Sequence, residues 1–169
     1  MRLAPRLALA IAALSLGVSC LLAMPVAAQN ASQIARARAG ASCPRCNLFQ
    51  ADFQGLTLKG KNFSGARLRQ ADLSSGIFNH SRFAGADLRD LNGYGALFSG
   101  ADLAGANLTH ASLVGAYFEG ANLRGATLDG TNFSGAELDR ARGLTQARLN
   151  RACGDGSTKL PRGMTIPAC

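Results

Sequence analysis

The sequence predicts an all-β solenoid, and three regularities predict it. From Cys46 to Arg140 the chain divides into 19 consecutive five-residue units without insertion or deletion. The third residue of every unit but one is Leu or Phe, the first is Ala in twelve units, and the fifth is Gly in twelve. On an α-helix, residues five apart are rotated by about 140°, so the Leu/Phe set would face every direction. On a long strand they would alternate between faces. A chain that turns a corner every five residues escapes both problems. Positions one and three of each unit then point inward from a short extended side. Positions four and five turn, and Gly at the fifth tolerates the positive φ that a tight corner needs. Units of this kind must wind around a shared axis and bury one another's apolar side chains.

Ala101-Asp102-Leu103-Ala104-Gly105, Ala106-Asn107-Leu108-Thr109-His110 and Ala121-Asn122-Leu123-Arg124-Gly125 resemble the A(D/N)LXX motif of pentapeptide-repeat proteins, and the resemblance spans 95 residues. It implies that family's right-handed quadrilateral β-helix, with four units per coil and just under five coils here. At β-strand spacing the rod is about 20–25 Å long. Residues twenty apart then stack in columns. One column is Leu48, Leu68, Leu88, Leu108 and Leu128; another, Leu58, Phe78, Phe98, Phe118 and Leu138, holds a ladder of three Phe. Phe63 and Phe83 stack below Leu103 and Leu123. The last column is Phe53, Leu73, Gly93, Leu113 and Phe133, where Gly93 is expected to leave a hole. Asn92-Gly93-Tyr94-Gly95 is therefore the expected weak point, a bulge compensated by Tyr94.

An open solenoid needs caps at both ends. Residues 29–45 read as an N-terminal linker and cap, with a short helix over Asn30–Ala39 started by Asn30 or Ser32. Residues 141–169 read as a C-terminal cap: a helix with Thr145 as N-cap and Leu144 and Leu149 as a hydrophobic staple, then a loop from Cys153 to Cys169. This tail resembles those closing many secreted bacterial members of the family. Two of the three pairings of Cys43, Cys46, Cys153 and Cys169 would join opposite ends of the rod, whereas a disulfide needs Cα atoms within ~7 Å. The expected bridges are Cys43–Cys46 and Cys153–Cys169.

Residues 1–28 read as a signal peptide. Arg2 and Arg6 precede an uncharged stretch from Leu7 to Ala28, and Val26-Ala27-Ala28 after Pro25 suits cleavage after Ala28. The same stretch is long enough for an uncleaved anchor, and Cys20 follows a poor lipobox. An exported chain with four remaining cysteines points to disulfides in a periplasmic or secreted protein.

The whole chain carries 18 Lys and Arg against 10 Asp and Glu. Some members of the family act as DNA mimics through a strongly acidic rod inside the cell, which an exported, basic chain does not match. The Arg residues are scattered: Arg67 and Arg69 sit with Asp87, Arg89 and Asp90 on one face, Arg36, Arg38 and Arg45 cluster at the N-terminal end and Arg140, Arg142, Arg148 and Arg151 at the other, so no specific nucleic-acid surface is expected. Weak association with an anionic envelope surface is a lesser alternative. His80 and His110 fall one and a half coils apart, on opposite faces, which excludes a shared metal site. Asp52, Asp72, Asp87 and Asp102 occupy second positions as part of the repeat. No catalytic residue, cofactor or metal is assigned. Cys43-Pro44-Arg45-Cys46 leaves open a thiol–disulfide redox protein as the alternative.

Ile77, Leu97 and Tyr117 are the distinctive outward residues. Each occupies a second position, where Asn, Asp, Ser or Thr is usual, and they are spaced by twenty. They form the expected contact stripe, for an unknown protein partner or a homodimer. The sequence thus reads as a non-catalytic structural or interaction module of the bacterial cell envelope, binding through this stripe or by end-to-end stacking.

Overall fold

The structure is a computed structural model that describes residues 30–169. The signal-peptide reading, its cleavage after Ala28 and Cys20 lie outside the described residues.

Through the regular coils each unit forms a parallel β-bridge at its second residue to the residue twenty further on. The series runs from Asn47 with Arg67 to Asn122 with Arg142. Four units therefore make one coil with four sides. Three hydrogen bonds per unit join neighbouring coils. For example, Leu68 N–H donates to Asp87 O (2.8 Å), Gln70 N–H to Arg89 O (2.9 Å), and Arg67 N–H to Cys46 O (2.8 Å). A fourth bond, such as Ala71 N–H to Leu68 O (3.0 Å), closes the corner. From Arg45 to Gly135 every fifth residue takes the left-handed conformation. Seven are not glycine, among them Ser75, His80 and His110, with φ between 54° and 59°.

The Asp and Asn residues at second positions have a local task. All ten accept a hydrogen bond from the backbone N–H two residues on, as Asp72 does from Ser74 (2.8 Å) and Asn132 from Ser134 (2.9 Å). That N–H sits at the corner and has no carbonyl partner, so a short side-chain acceptor stabilises the turn.

Inside, the third residue of every unit is buried, and so is the first in every unit except those starting at Leu56 and Lys61, which are half-buried. Phe78, Phe98 and Phe118 stack at centroid spacings of 5.6 and 5.3 Å. Phe63 and Phe83 stack beside them at 5.3 Å, and Phe83 meets Phe78 and Phe98 edge-on, both at 5.9 Å. The two aromatic columns lie on adjacent sides and interlock through the offset and edge-to-face geometries that rings prefer.

The hole and bulge expected at Gly93 do not form. The coil keeps its register, with Asn92 bridged to Asp72 and Ser112. Leu91 stands where most units have Ala and is fully buried. A Cβ on Gly93 would lie 2.7 Å from Leu113 Cδ2 and 3.4 Å from Leu91 Cδ2, so those two side chains fill the space. The large and small inward residues have simply exchanged places. Tyr94 compensates for nothing: it points outward and is 59% exposed.

The regular winding also begins one unit earlier than the sequence suggests. Cys43 N–H donates to Asn62 O (2.8 Å), Arg45 N–H to Ser64 O (2.9 Å), and Arg45 takes the left-handed corner. Cys43 thus holds a third, inward position and Cys46 a first. Helix α1 (Ala31–Arg38), capped by the Asn30 side chain, lies over this end. Gln33 Oε1 accepts from Asn47 N–H (2.7 Å), and Arg38 donates to Asp52 O and pairs with its carboxylate (3.1 Å).

At the other end the winding continues with growing offsets. Arg142 pairs with Asn122, Cys153 with Asn132, and Lys159 with Glu137. The single turn α2 (Gln146–Leu149) fits into this loosened coil and buries Leu149. Thr145 sits at its N-cap position, but its hydroxyl makes no capping bond. It instead accepts from Arg148 (3.3 Å), whose guanidinium also reaches Leu123 O (2.8 Å) and so covers an edge carbonyl. The tail is pinned by Asp155, which accepts from Gly135 N–H (3.0 Å), Ser157 N–H (2.9 Å) and the Ser157 hydroxyl (2.6 Å).

Two expectations follow. Leu91→Ala leaves two small residues on one side of the core and should lower stability by about 3–4 kcal/mol. Adding Gly93→Leu restores the common Ala-x-Leu pattern and should recover most of it, as read by urea titration. The second concerns acid. Hydrogen bonds from Ser157 and Gly135 hold the Asp155 carboxyl at about 2, below its ordinary value of 3.8. Because the folded value is the depressed one, this support is complete above about pH 4 and is lost as pH falls through 2. Amide protection at Gly135 and Ser157 should fall over that interval, and Asp155→Asn should abolish the dependence.

Candidate functional site

Where the repeat places polar residues outward, one side of the rod carries Ile77, Leu97 and Tyr117. They are bridged in sequence, Ile77 to Leu97 and Leu97 to Tyr117, and the column continues to Thr57 at one end and Glu137 at the other. Ile77 and Leu97 are half-buried among their neighbours and Tyr117 is 42% exposed. None can accept the corner N–H bond that Asp or Asn provides, and these three coils present apolar surface in its place; at the Leu97 corner the Asn79 side chain of the preceding coil accepts from Ser99 N–H instead (3.0 Å). The C-terminal tail does not cover the stripe. Leu160, Met164 and Ile166 pack instead against the end of the core.

The stripe is wider than the sequence suggests. Tyr94 and Val114 occupy fourth positions on the adjoining side, three residues before Leu97 and Tyr117, and so lie across the corner from them. Fourth positions tolerate many residues, so the pattern alone does not mark this pair. Only the corner geometry joins the two columns.

Charge flanks the stripe unevenly. Toward the N-terminal end of this side is Lys59, exposed and without an ion pair among the described residues. Toward the C-terminal end, Glu119, Glu137, Asp139, Arg140 and Lys159 line a shallow cleft of about 260 Å³. Within it Arg140 pairs with Glu119 and Lys159 with Glu137, both at 2.6 Å. The Glu137 hydrogen bond raises the Lys159 pKa, with Asp139 adding to the effect. Asp139 itself makes no ion pair among the described residues, so its charge is the one left over.

The same segregation runs along the whole rod. Residues 30–85 hold eight basic and two acidic side chains, residues 86–140 three basic and seven acidic, and residues 141–169 five basic and one acidic. On the side carrying the Arg67 cluster the charges are largely matched: Arg69 pairs with Asp90 (3.0 Å) and Arg89 with Asp87 (2.8 Å). The Arg89 guanidinium lowers the Asp87 pKa, and Arg67 lies over the Phe49 ring at 5.2 Å.

The histidines occupy corners on opposite sides. Each lays its ring over the glycine of the next coil: a Cβ on Gly100 would lie 2.5 Å from His80 Nδ1, and one on Gly130 equally close to His110 Nδ1. Among the described residues no group of three or more His, Cys, Asp or Glu is arranged to hold a metal ion.

The structure contains the disulfides Cys43–Cys46 and Cys153–Cys169, with Cα separations of 5.4 and 4.7 Å. They differ in access. Cys43 and Cys46 are 3% and 7% exposed, turned into the core beneath α1, whereas Cys169 is exposed at the surface. An attacking thiolate must approach a sulfur along the S–S axis, which the first pair does not allow without uncapping the rod. Mild thiol treatment followed by alkylation and mass spectrometry should label Cys153 and Cys169 well before Cys43 and Cys46.

A four-sided solenoid built from five-residue repeats defines the class of protein. The chain belongs to the pentapeptide-repeat family. The family profile, pentapeptide repeats, matches residues 46–83, 77–113, 101–140 and 111–153, with eight copies. Among solved structures, a pentapeptide repeat protein of the Arabidopsis thaliana thylakoid lumen is 28% identical, with 64% of this chain and 61% of that one covered, at a TM-score of 0.30. The pentapeptide repeat protein Rfr23 of the cyanobacterium Cyanothece 51142 is 25% identical over 77% of this chain and 98% of that one, at a TM-score of 0.38. QnrB1, a plasmid-mediated fluoroquinolone resistance protein, is 23% identical over 73% and 78%, at 0.37. No curated protein matches the chain. Members of this family are non-catalytic structural or interaction modules.

Proposed function

We propose that this protein is a non-catalytic interaction rod of the bacterial cell envelope, which docks a protein partner through the side bearing Ile77, Leu97 and Tyr117. The observation that carries the reading is the stripe itself. Three bridged positions in successive coils give up the turn-stabilising Asp or Asn and present apolar surface instead. Scattered apolar residues on a surface are ordinary; a contiguous column of them marks a contact site. Export to an oxidising compartment accords with the signal-like residues 1–28 and with the two disulfides.

No catalytic role is assigned. Six of the ten carboxylates are in ion pairs, and the two histidines stand on opposite sides. The buried state of Cys43 and Cys46 argues against a redox role for that pair. The ends are also poorer contact surfaces than the side. Both are capped, and both carry excess positive charge, so copies stacked end to end would repel.

Leu97→Arg should leave the melting temperature within about 2 °C of wild type, since the position is outward-facing. It should also remove the envelope cross-links that the wild-type protein makes through a photo-reactive residue at position 99. Cross-links that persist unchanged, or recovery of the protein solely from the cytoplasmic fraction, would refute the reading.

A further inference from the structure

The side carrying the stripe is self-complementary under a two-fold rotation. Its second-position column reads Thr57, Ile77, Leu97, Tyr117, Glu137, each bridged to the next, with Leu97 at the centre. The fourth-position column beside it begins with exposed Lys59 and ends with exposed Asp139. Rotating a second copy about an axis through Leu97, perpendicular to the rod and lying in the plane of this side, inverts the order of the coils and keeps each column opposite itself. Leu97 then faces Leu97, Ile77 faces Tyr117, and Lys59 faces Asp139. By symmetry every off-axis contact occurs twice.

We propose that the partner of this surface is a second copy of the chain, packed antiparallel side against side, with two reciprocal Lys59–Asp139 ion pairs closing the ends of the apolar stripe. The proposal rests on the stripe being a contact surface and adds what contacts it. Charge complementarity selects the occupant. The two groups without an ion pair of their own have opposite sign and stand two coils either side of the centre. Glu119 with Arg140 and Glu137 with Lys159 are neutralised within one chain and present little net charge. A parallel arrangement would set Lys59 against Lys59 and Asp139 against Asp139, and like charges face to face are unfavourable. The arrangement is isologous, so it closes at two copies and forms no filament.

The area sets the strength. Five coils at β spacing and one side's width give a patch about 20 Å by 10 Å. That is roughly 200 Å² per copy, well under the size of a stable interface, so the association is weak and reversible. The expected dimer is therefore concentration-dependent, with a dissociation constant in the micromolar range of roughly 10–100 μM.

Sedimentation equilibrium of the oxidised full chain from about 1 to 300 μM, with melting curves to verify folding, tests the arrangement. Lys59→Glu and Asp139→Lys should each weaken association by about ten-fold, because each places like charges opposite twice. The combined Lys59→Glu/Asp139→Lys variant should return to within about two-fold of wild type. These residues are four coils apart in one chain, about 19 Å, so only contact between copies couples them. A wild-type protein monomeric throughout overturns the second copy as partner; if Leu97→Arg still abolishes envelope cross-links, the stripe remains a contact surface for something else. Association that the combined variant fails to restore overturns the antiparallel arrangement.

Discussion

Everything in this molecule depends on a corner taken every fifth residue. From Arg45 to Gly135 each fifth position adopts the left-handed conformation, including seven residues for which it is unfavourable. Those seven are held there by their neighbours: each coil is bonded to the next along every side, so no single corner can relax alone. The corner turns a period that suits neither helix nor long strand into four short sides. It also decides which residues face inward, outward and into the turn.

The corner then fixes the volume available inside. Two inward side chains per unit must fill one side of a narrow square, and the pair matters more than either member. Ala with Leu or Phe is the usual solution. Leu91 with Gly93 is the reverse solution, and Gly76 with Phe78 is a third, in which a Cβ on the glycine would lie 2.5 Å from the ring. Ser81 and Thr131 are buried at first positions because their hydroxyls donate to Leu58 O (2.7 Å) and Leu108 O (2.8 Å). The outer surface is comparatively free of such demands. Its second positions favour Asp and Asn for the sake of the turn, which makes departures from them informative.

The fold was legible because the repeat is written in every unit, and the columns followed once four units were assigned to a coil. The misreading at Gly93 came from judging third positions singly, without weighing Leu91 as its partner. The extra unit at residues 41–45 was hidden because Cys43 replaces Leu or Phe, and Pro44-Arg45 does not resemble a corner. Its left-handed Arg45 is imposed by bonding to Ser64 O. Thr145 looked like a helix cap, yet the turn is so short that Arg148, bridging to edge carbonyls, takes the hydroxyl. Of the candidate site, the Ile77–Leu97–Tyr117 column was readable as a break in the repeat. Tyr94 and Val114 were not, because adjacency across a corner is a property of the wound chain. Neither was the relation of Lys59 to Asp139, which appears only when the side is viewed as a whole.

The central claim is that bonding repeats with the corner, and native-state hydrogen exchange measures it residue by residue. Amides at second, third and fifth positions bond between coils, whereas those at fourth positions meet only a side-chain acceptor or solvent. Through the middle coils, exchange should therefore be fastest at every fourth position, among them Tyr94, Ala104 and Thr109, by about 100-fold or more over their neighbours. Protection that alternates by two, or that runs unbroken through the fourth positions, would contradict the five-residue corner.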